Sequence, residues 1–500
     1  MRAGPWLAAM LLCGAPAAAQ KSADTLRIAW RDGLPSVDPY HNPLRTGLVL
    51  AHQAWDTLVY RDPETFQLKP LLATAWRQAD DTTLEFTLRA GVRFHDGSPF
   101  TADDVVYTIR SALADPTVAV PSNFAYLAGA ERIDDLHVRV KLKRVFPAAL
   151  EYIAMVLPIL PQAYRERLGA AAYAHAPVGT GPYRITRIDG SSEIDLERWD
   201  GYFEGPKGKP AIGRLVIHEV ADATSEVTEA LAGRADWIWM FDPDQFEVIS
   251  RAPTLQAVRA ESMRFGYLSM DAAGRTGAGN PLTQQKVRQA IAHAIDRQAI
   301  ARQLVQGGGR VLDSGCYPTQ FGCDQTGMTR YDYDPAAARR LLDEAGYKDG
   351  FETELVSYVL PQYGLAIQGY LKAVGISARL SQLPTSEAVA RSTAGRNPLY
   401  AGSWGSYSVN DVSAVLPFFF GGSGDDYARD PQVQRLVEQG GATTNPDERR
   451  KFYSEALRRI SEQMYWLPLN TYMTTYAFSR QLNFRPSPDE LPRFFLASWR

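Results

Sequence analysis

The sequence predicts an α/β protein of more than one domain. Strand-like segments alternate with capped, amphipathic helices along most of the chain. One strand–helix–strand unit, over 352–383, makes part of the sheet parallel. At 500 residues the chain exceeds what one ordinary core holds, so two or three domains are expected.

The elements follow in chain order. Arg2, an apolar core over 6–12 and small residues in "APAAAQ" (15–20) read as a secretory signal over 1–19, cleaved after Ala19. A lipoprotein anchor at Cys13 would need a small residue where Leu12 stands. "TLRIAW" (25–30) is a first strand. In "TLEFTLRAGVRF" (83–94), Leu84, Phe86 and Leu88 share one face, the pattern of a half-buried strand. "HDGSP" (95–99) is turn chemistry, and Thr101 with Asp104 forms a capping box that starts a helix carrying Val105, Val106 and Ile109. The apolar stretch 145–160 contains Pro147, Glu151 and Pro158, which makes it a buried segment and not a membrane span.

Further strands are expected at 214–220, 352–359 and 376–383, with a helix at 361–374 between the last two. Thr283 is expected to cap a helix carrying Val287, Ile291, Ala294 and Ile295. Asp334-Pro335 begins another, stopped by Gly346, and Asn445-Pro446 begins a third. Cleavage of the signal would remove Cys13 and leave Cys316 and Cys323, an even pair that suggests one disulfide in an exported chain.

Composition excludes some classes. Apolar residues at 45% and charged residues at 22% describe a globular protein, and a formal net charge of −3 gives no basic footprint for nucleic acid. His95-Asp96 looks like catalytic or metal chemistry, but neighbours on extended backbone point apart, so a turn role is expected. His41 and His52 are too far apart to be a local metal pair, and no metal or cofactor is expected. "AGSWG" (401–405) approaches a nucleophile elbow at Ser403, yet the last His is His293, so no His follows it as that triad order requires. "GGGR" (307–310) lacks the Lys-Ser/Thr of a phosphate loop. Binding signals are better. Aromatics beside Ser, Asn and Asp in 400–420 suit a pocket that stacks on a ligand and hydrogen-bonds to it, whereas Phe418, Phe419 and Phe420 read as core.

Several blocks together resemble one family. "LLATAWRQADDTTLEFTLRAGVRFHDGSPFTADDVVY" (71–107), "APVGTGPYRI" (176–185) and "KVRQAIAHAIDRQAI" (286–300) resemble the family 5 (peptide/nickel type) extracellular solute-binding proteins of ABC importers. "DPAAARRLLDEAGY" (334–347) and "ERRKFYSEALRRISEQMYWLPL" (448–469) fit further regions in order. The resemblance implies a periplasmic-binding-protein-like two-lobe fold with an inserted third subdomain. Lobe I would be 20–52, 177–270 and 475–500, the insert 53–176, and lobe II 271–474. A small polar ligand, peptide-like or an amino-acid conjugate, would lie between the lobes of a monomer and pass to an inner-membrane permease, without catalysis. A ligand-sensing partner of a membrane receptor would share the fold.

The same resemblance suggests the site. Trp404 stands at the strand end that leads into the ligand loop, and Tyr407 stands where dipeptide binders carry an Asp for the ligand amine. Asp411 is the substitute considered, with Asn410 beside it. The stretch matching their carboxylate-binding Arg, "VSYVLPQYGLA" (356–366), has no Arg or Lys; Arg45, with Thr46, in "HNPLRTG" (41–47) is the candidate anion partner, set against a role as a solvated surface Arg.

Overall fold

The computed structural model describes residues 24–190, 192–305 and 308–500. The expected signal, Cys13 and part of 307–310 lie outside or at the edge of these residues. Ten strands build the main sheet: β1 (Thr25–Trp30), β2 (Tyr183–Asp189), β3 (Glu193–Arg198), β4 (Arg214–Glu219), β5 (Trp237–Trp239), β6 (Leu255–Met270), β7 (Phe351–Ser357), β8 (Ile376–Gln382), β9 (Leu399–Trp404) and β10 (Trp466–Ser479). Their order is β8-β7-β9-β6-β10-β5-β1-β4-β3-β2.

Two long antiparallel strands, β6 and β10, carry this sheet from one lobe to the other. Their outer halves pair from Leu255 opposite Ser479 to Glu261 opposite Met473, beside β5. Their inner halves pair from Phe265 to Ser269, where β9 joins on the other edge of β6. The register breaks between Glu261 and Phe265 and again before Tyr267. Such irregularities bend and twist a strand pair, and here they sit at the crossing between lobes.

The strand–helix–strand expectation is met. β7 and β8 are parallel, Phe351 opposite Ile376, joined through the helix Pro361–Ala373. Asp334 caps Pro335–Glu344 by accepting the Ala336 and Ala337 N–H groups, and Asn445 caps Pro446–Gln463 in the same way. Thr283 does not cap its helix. Asn280 accepts the Leu282 N–H and winds Pro281–Thr283 into a 3-10 turn, so the α-helix begins only at Gln285.

A second, four-stranded antiparallel sheet is built from Ala73–Asp80, Thr83–Leu88, His137–Leu142 and Leu127–Asp134, in that spatial order. The helix Ala102–Ala114 packs across it. At its start the Asp104 carboxylate accepts the Thr101 N–H at 2.8 Å. Leu84, Phe86, Val105 and Ile109 belong to the same continuous core as Leu26 and Ile28 of β1, so this sheet is fused to lobe I. Lobe II has cores of its own, around Ile291, Leu355 and Leu399 and around Tyr267, Phe419 and Trp466.

His95 and Asp96 form a turn. Asp96 accepts the Ser98 N–H at 3.0 Å and the Ser98 hydroxyl at 2.6 Å. His95 Nδ1 accepts the Gly179 N–H at 3.3 Å, which leaves Nε2–H to donate to the Gly181 carbonyl at 2.9 Å. The ring thus ties the turn to the loop 178–182. Burial lowers its pKa to about 4, so it is neutral at ordinary pH. Among the described residues no group of three or more His, Cys, Asp or Glu is placed to hold a metal.

His95→Ala should lower stability by about 1–3 kcal/mol in urea unfolding, because two backbone groups lose their partner. The folded pKa lies below the unfolded value of about 6.5, so this contribution is full above that pH and declines as pH falls toward 4. The wild-type-minus-variant difference should shrink over that window; a difference constant with pH would exclude a neutral His95.

Candidate functional site

A cavity of about 410 Å³ lies between the lobes. Its walls come from 39–51 of lobe I, 119–124 and 156–158 of the inserted region, Arg264 on β6, and Tyr358, Thr385, Val389 and 403–407 of lobe II. Each wall has a local reason for its position.

On the lobe I side the loop before the helix Arg45–Ala54 is pinned from several directions. Asp38 accepts the Tyr40 N–H at 2.9 Å and pairs with buried Arg165 at 2.7 Å. The Tyr40 hydroxyl donates to the Pro158 carbonyl at 2.8 Å. Asn42 accepts the Leu44 N–H at 2.9 Å and donates to the Ser36 carbonyl at 2.7 Å. His41 lies between two carboxylates, 3.3 Å from Asp38 and 3.0 Å from Asp115. Its hydrogen bond to Asp38, opposed by partial burial, raises its pKa above the ordinary value.

On the lobe II side β9 ends at Trp404. Trp404 Nε1 donates to the Ala414 carbonyl at 3.0 Å, and the ring stacks on Phe418 and meets Phe419 and Tyr407 edge-on. After Gly405 the chain makes an uncommon turn: Ser406, Tyr407 and Ser408 have φ of 52°, 48° and 63°. Non-glycine residues in this region cost about 1 kcal/mol or more each, so three in succession need holding contacts.

Those contacts come from lobe I and the inserted region. The Ser408 hydroxyl donates to the Asp489 carbonyl at 2.7 Å and accepts from Arg45. The Ser408 carbonyl accepts from buried Arg61. Arg61 pairs with Asp489 at 2.8 Å and Glu151 at 3.1 Å, and Glu151 accepts the Asn410 N–H at 3.3 Å. Arg493 grips Asp489 at 3.0 and 2.7 Å. Burial alone would raise the Asp489 carboxyl, but Arg493 and Arg61 hold it far below the ordinary range.

The loop is also held from behind. Cys316 and Cys323 form a disulfide, with Cα atoms 5.8 Å apart. Within that short loop, Gln320 donates to the Val409 carbonyl at 2.9 Å and the Phe321 N–H to the Asn410 carbonyl at 3.0 Å. The Val412 N–H returns a bond to the Phe321 carbonyl at 3.0 Å.

Of the expected ligand residues, Arg45, Trp404 and Tyr407 line the cavity, and Tyr407 is nearly half exposed there. Thr46, Asn410 and Asp411 are not on its walls. Thr46 is fully buried on the inner side of its helix. The Asn410 side chain accepts from the Thr319 hydroxyl at 3.2 Å. Asp411 turns inward to buried Arg449, bonded at 3.0 and 2.8 Å, and caps Ser413; its carboxylate is committed to that pair. Sequence reasoning missed Arg264 and Tyr358. Arg264 was signalled by a lone cation in the otherwise apolar run "MRFGYL" (263–268). The Ser403 N–H and carbonyl are both bonded to the Tyr358 hydroxyl, and among the described residues no His lines the cavity beside it.

A cavity shared by two lobes, which are joined by two irregular crossing strands, defines a hinged solute-binding protein. The family model of the bacterial extracellular solute-binding proteins, family 5 (middle region), matches residues 67–427, and the chain belongs to that family. It is 27% identical over 498 residues to the glutathione-binding protein GsiB of Salmonella choleraesuis (strain SC-B67), covering 95% of each chain. It is 26% identical over 470 residues to the di/tripeptide-binding protein 1 of Pseudomonas aeruginosa (strain UCBPP-PA14), covering 86% of this chain and 85% of that one. The solved structure of HbpA2 from Haemophilus parasuis superposes with a TM-score of 0.83 at 23% identity, covering 95% of this chain and all of the other.

Two outcomes test the geometry. Asp411→Ala should cost about 3–5 kcal/mol in denaturant unfolding by stranding Arg449 in the core, and a loss under 1 kcal/mol would contradict the buried pair. For His41 the folded pKa is raised, so its stabilising pairs are intact below the unfolded value of about 6.5 and fade as pH rises through the folded one. The melting-temperature gap between wild type and His41→Ala should therefore be widest below about pH 6.5 and narrow as the pH rises through the folded pKa.

Proposed function

We propose that this chain is the substrate-binding component of an ABC importer. It captures a small peptide or peptide-like solute between its lobes in the periplasm and delivers it to an inner-membrane permease. The carrying observation is that one cavity takes its walls from both lobes and from the strand that joins them. A ligand there makes contacts in the closed state that the open state lacks, and that difference in affinity drives closure. Relatives named for binding glutathione and di- and tripeptides support the solute class.

In this reading lobe I comprises 20–52, 177–270 and 475–500, the insert 53–176, and lobe II 271–474, acting as a monomer. Arg45, Trp404 and Tyr407 contact the ligand directly. Thr46, Asn410 and Asp411 act behind them, by packing the helix and fixing the loop.

Thermal unfolding with a panel of glutathione, dipeptides and tripeptides tests the proposal. A ligand at about 100 times its Kd should add about 2.7 kcal/mol of stability. Trp404→Ala and Tyr407→Ala should each weaken binding about tenfold while leaving the unliganded protein folded. No shift with any member of the panel would overturn the peptide-class assignment.

A further inference from the structure

Two guanidinium groups face the cavity, Arg45 from lobe I and Arg264 from the crossing strand β6. Both lean on one carboxylate: Glu490 is 3.8 Å from Arg45 and 3.6 Å from Arg264. Glu490 is itself buried and accepts the Thr474 hydroxyl at 2.9 Å. Burial would raise its pKa, but Arg264 and Arg45 keep it below the ordinary value, so it stays ionised.

The charge count is short by one anion. Arg45, Arg61, Arg264 and Arg493 are set against Glu151, Asp489 and Glu490, four cations against three carboxylates. Arg61 and Arg493 have Asp489 and Glu151 close by, so the surplus falls on the pair at the cavity wall. Arg45 spends one nitrogen on Ser408 and the Asp489 carbonyl. Arg264 has Glu490 as its only ionic partner among the described residues, at a distance too long for a good hydrogen bond. Among the described residues no Asp or Glu lines the cavity to balance them. Two further features point the same way. The helix that begins at Arg45 has no side-chain cap and no acidic residue in its first turn, and its positive end meets the cavity. Ser406, which lines the cavity, has a buried hydroxyl oxygen with no hydrogen-bond partner.

We infer that the cavity is selective for anionic ligands: a carboxylate is taken between Arg45 and Arg264, and a ligand with a net negative charge is preferred over a neutral zwitterion of similar size. Arg264 is the specificity-determining residue. A guanidinium fork matches a carboxylate in geometry as well as charge. The absence of a carboxylate from the cavity wall leaves a ligand ammonium without a charged partner, so excess negative charge is what distinguishes the preferred ligand. The inference rests on the peptide reading above only in taking this cavity as the ligand site.

Isothermal titration with three probes separates the two. The probes are glutathione, with a net negative charge, trialanine, a zwitterion, and glutarate, a dicarboxylate without a peptide bond. Wild type should bind glutathione at least about tenfold more tightly than trialanine, and Arg264→Gln should lose about tenfold or more for glutathione, with a smaller loss for trialanine, so that the preference narrows. Arg264→Lys, which keeps the charge but not the fork, should fall between, and it serves as the readout if the Gln variant does not fold. Equal glutathione affinity in wild type and variant overturns the inference. Binding of trialanine without a preference for glutathione also overturns it while the peptide reading stands. Arg264-dependent binding of glutarate with neither peptide bound sinks the peptide reading and upholds anion selection; no binding of any probe sinks both.

Discussion

The carboxylate of Asp489, buried between Arg61 and Arg493, is the interaction on which the arrangement around the cavity depends. A buried ion is expensive unless its charge is matched and its lone pairs are filled. Two guanidiniums from segments more than 400 positions apart meet that condition at once. Arg61 follows the first helix, while Asp489 and Arg493 belong to the C-terminal segment, so the pairing fastens the end of the chain to its beginning. The backbone carbonyl of the same Asp489 accepts from Ser408 and Arg45. One residue therefore orders lobe I with its side chain and receives lobe II with its main chain.

This explains how a strained loop persists at the site. Ser406, Tyr407 and Ser408 hold left-handed backbone angles that few residues adopt. Their geometry is supported from in front by Arg61, Arg45 and Glu151, and from behind by the disulfide-closed loop through Gln320 and Phe321. The two sides of the cavity thus have protein–protein contacts of their own, and in the proposed binding reading a ligand adds to them.

What could be read from the sequence divides along the range of the interactions. Asp334 and Asn445 were legible as caps because the groups they satisfy lie two and three residues on. Thr283 was misread because Asn280, three residues earlier, competes for the same turn and wins. Trp404 and Tyr407 were placed through family resemblance and stand on the cavity wall. Asp411 was legible as a charge but not as a committed one, since its partner Arg449 lies 38 positions away on another helix. Arg264 lies in a strand that was not read from the sequence, and Glu490, which gives it meaning, is more than 200 positions distant. The turn at His95 shows the same limit in reverse: its local chemistry was clear, while its bonds to Gly179 and Gly181 belong to the tertiary fold.

The order of strands in the main sheet has a consequence for how the chain reaches this state. β1 lies beside β5, and β5 is enclosed on its other side by β10, which begins only at Trp466. β1 itself is flanked by β4 and β5, whereas β5 keeps one edge unpaired until β10 is made. Contacts between such distant positions raise the entropic barrier to folding and slow it. Lobe II, whose strands β7, β8 and β9 fall within 351–404, can assemble its parallel unit earlier and join it to β6 through β9, while the other edge of β6 waits for β10. Addition of β10 is thus the step that pairs β5 with β6 and completes the sheet across both lobes.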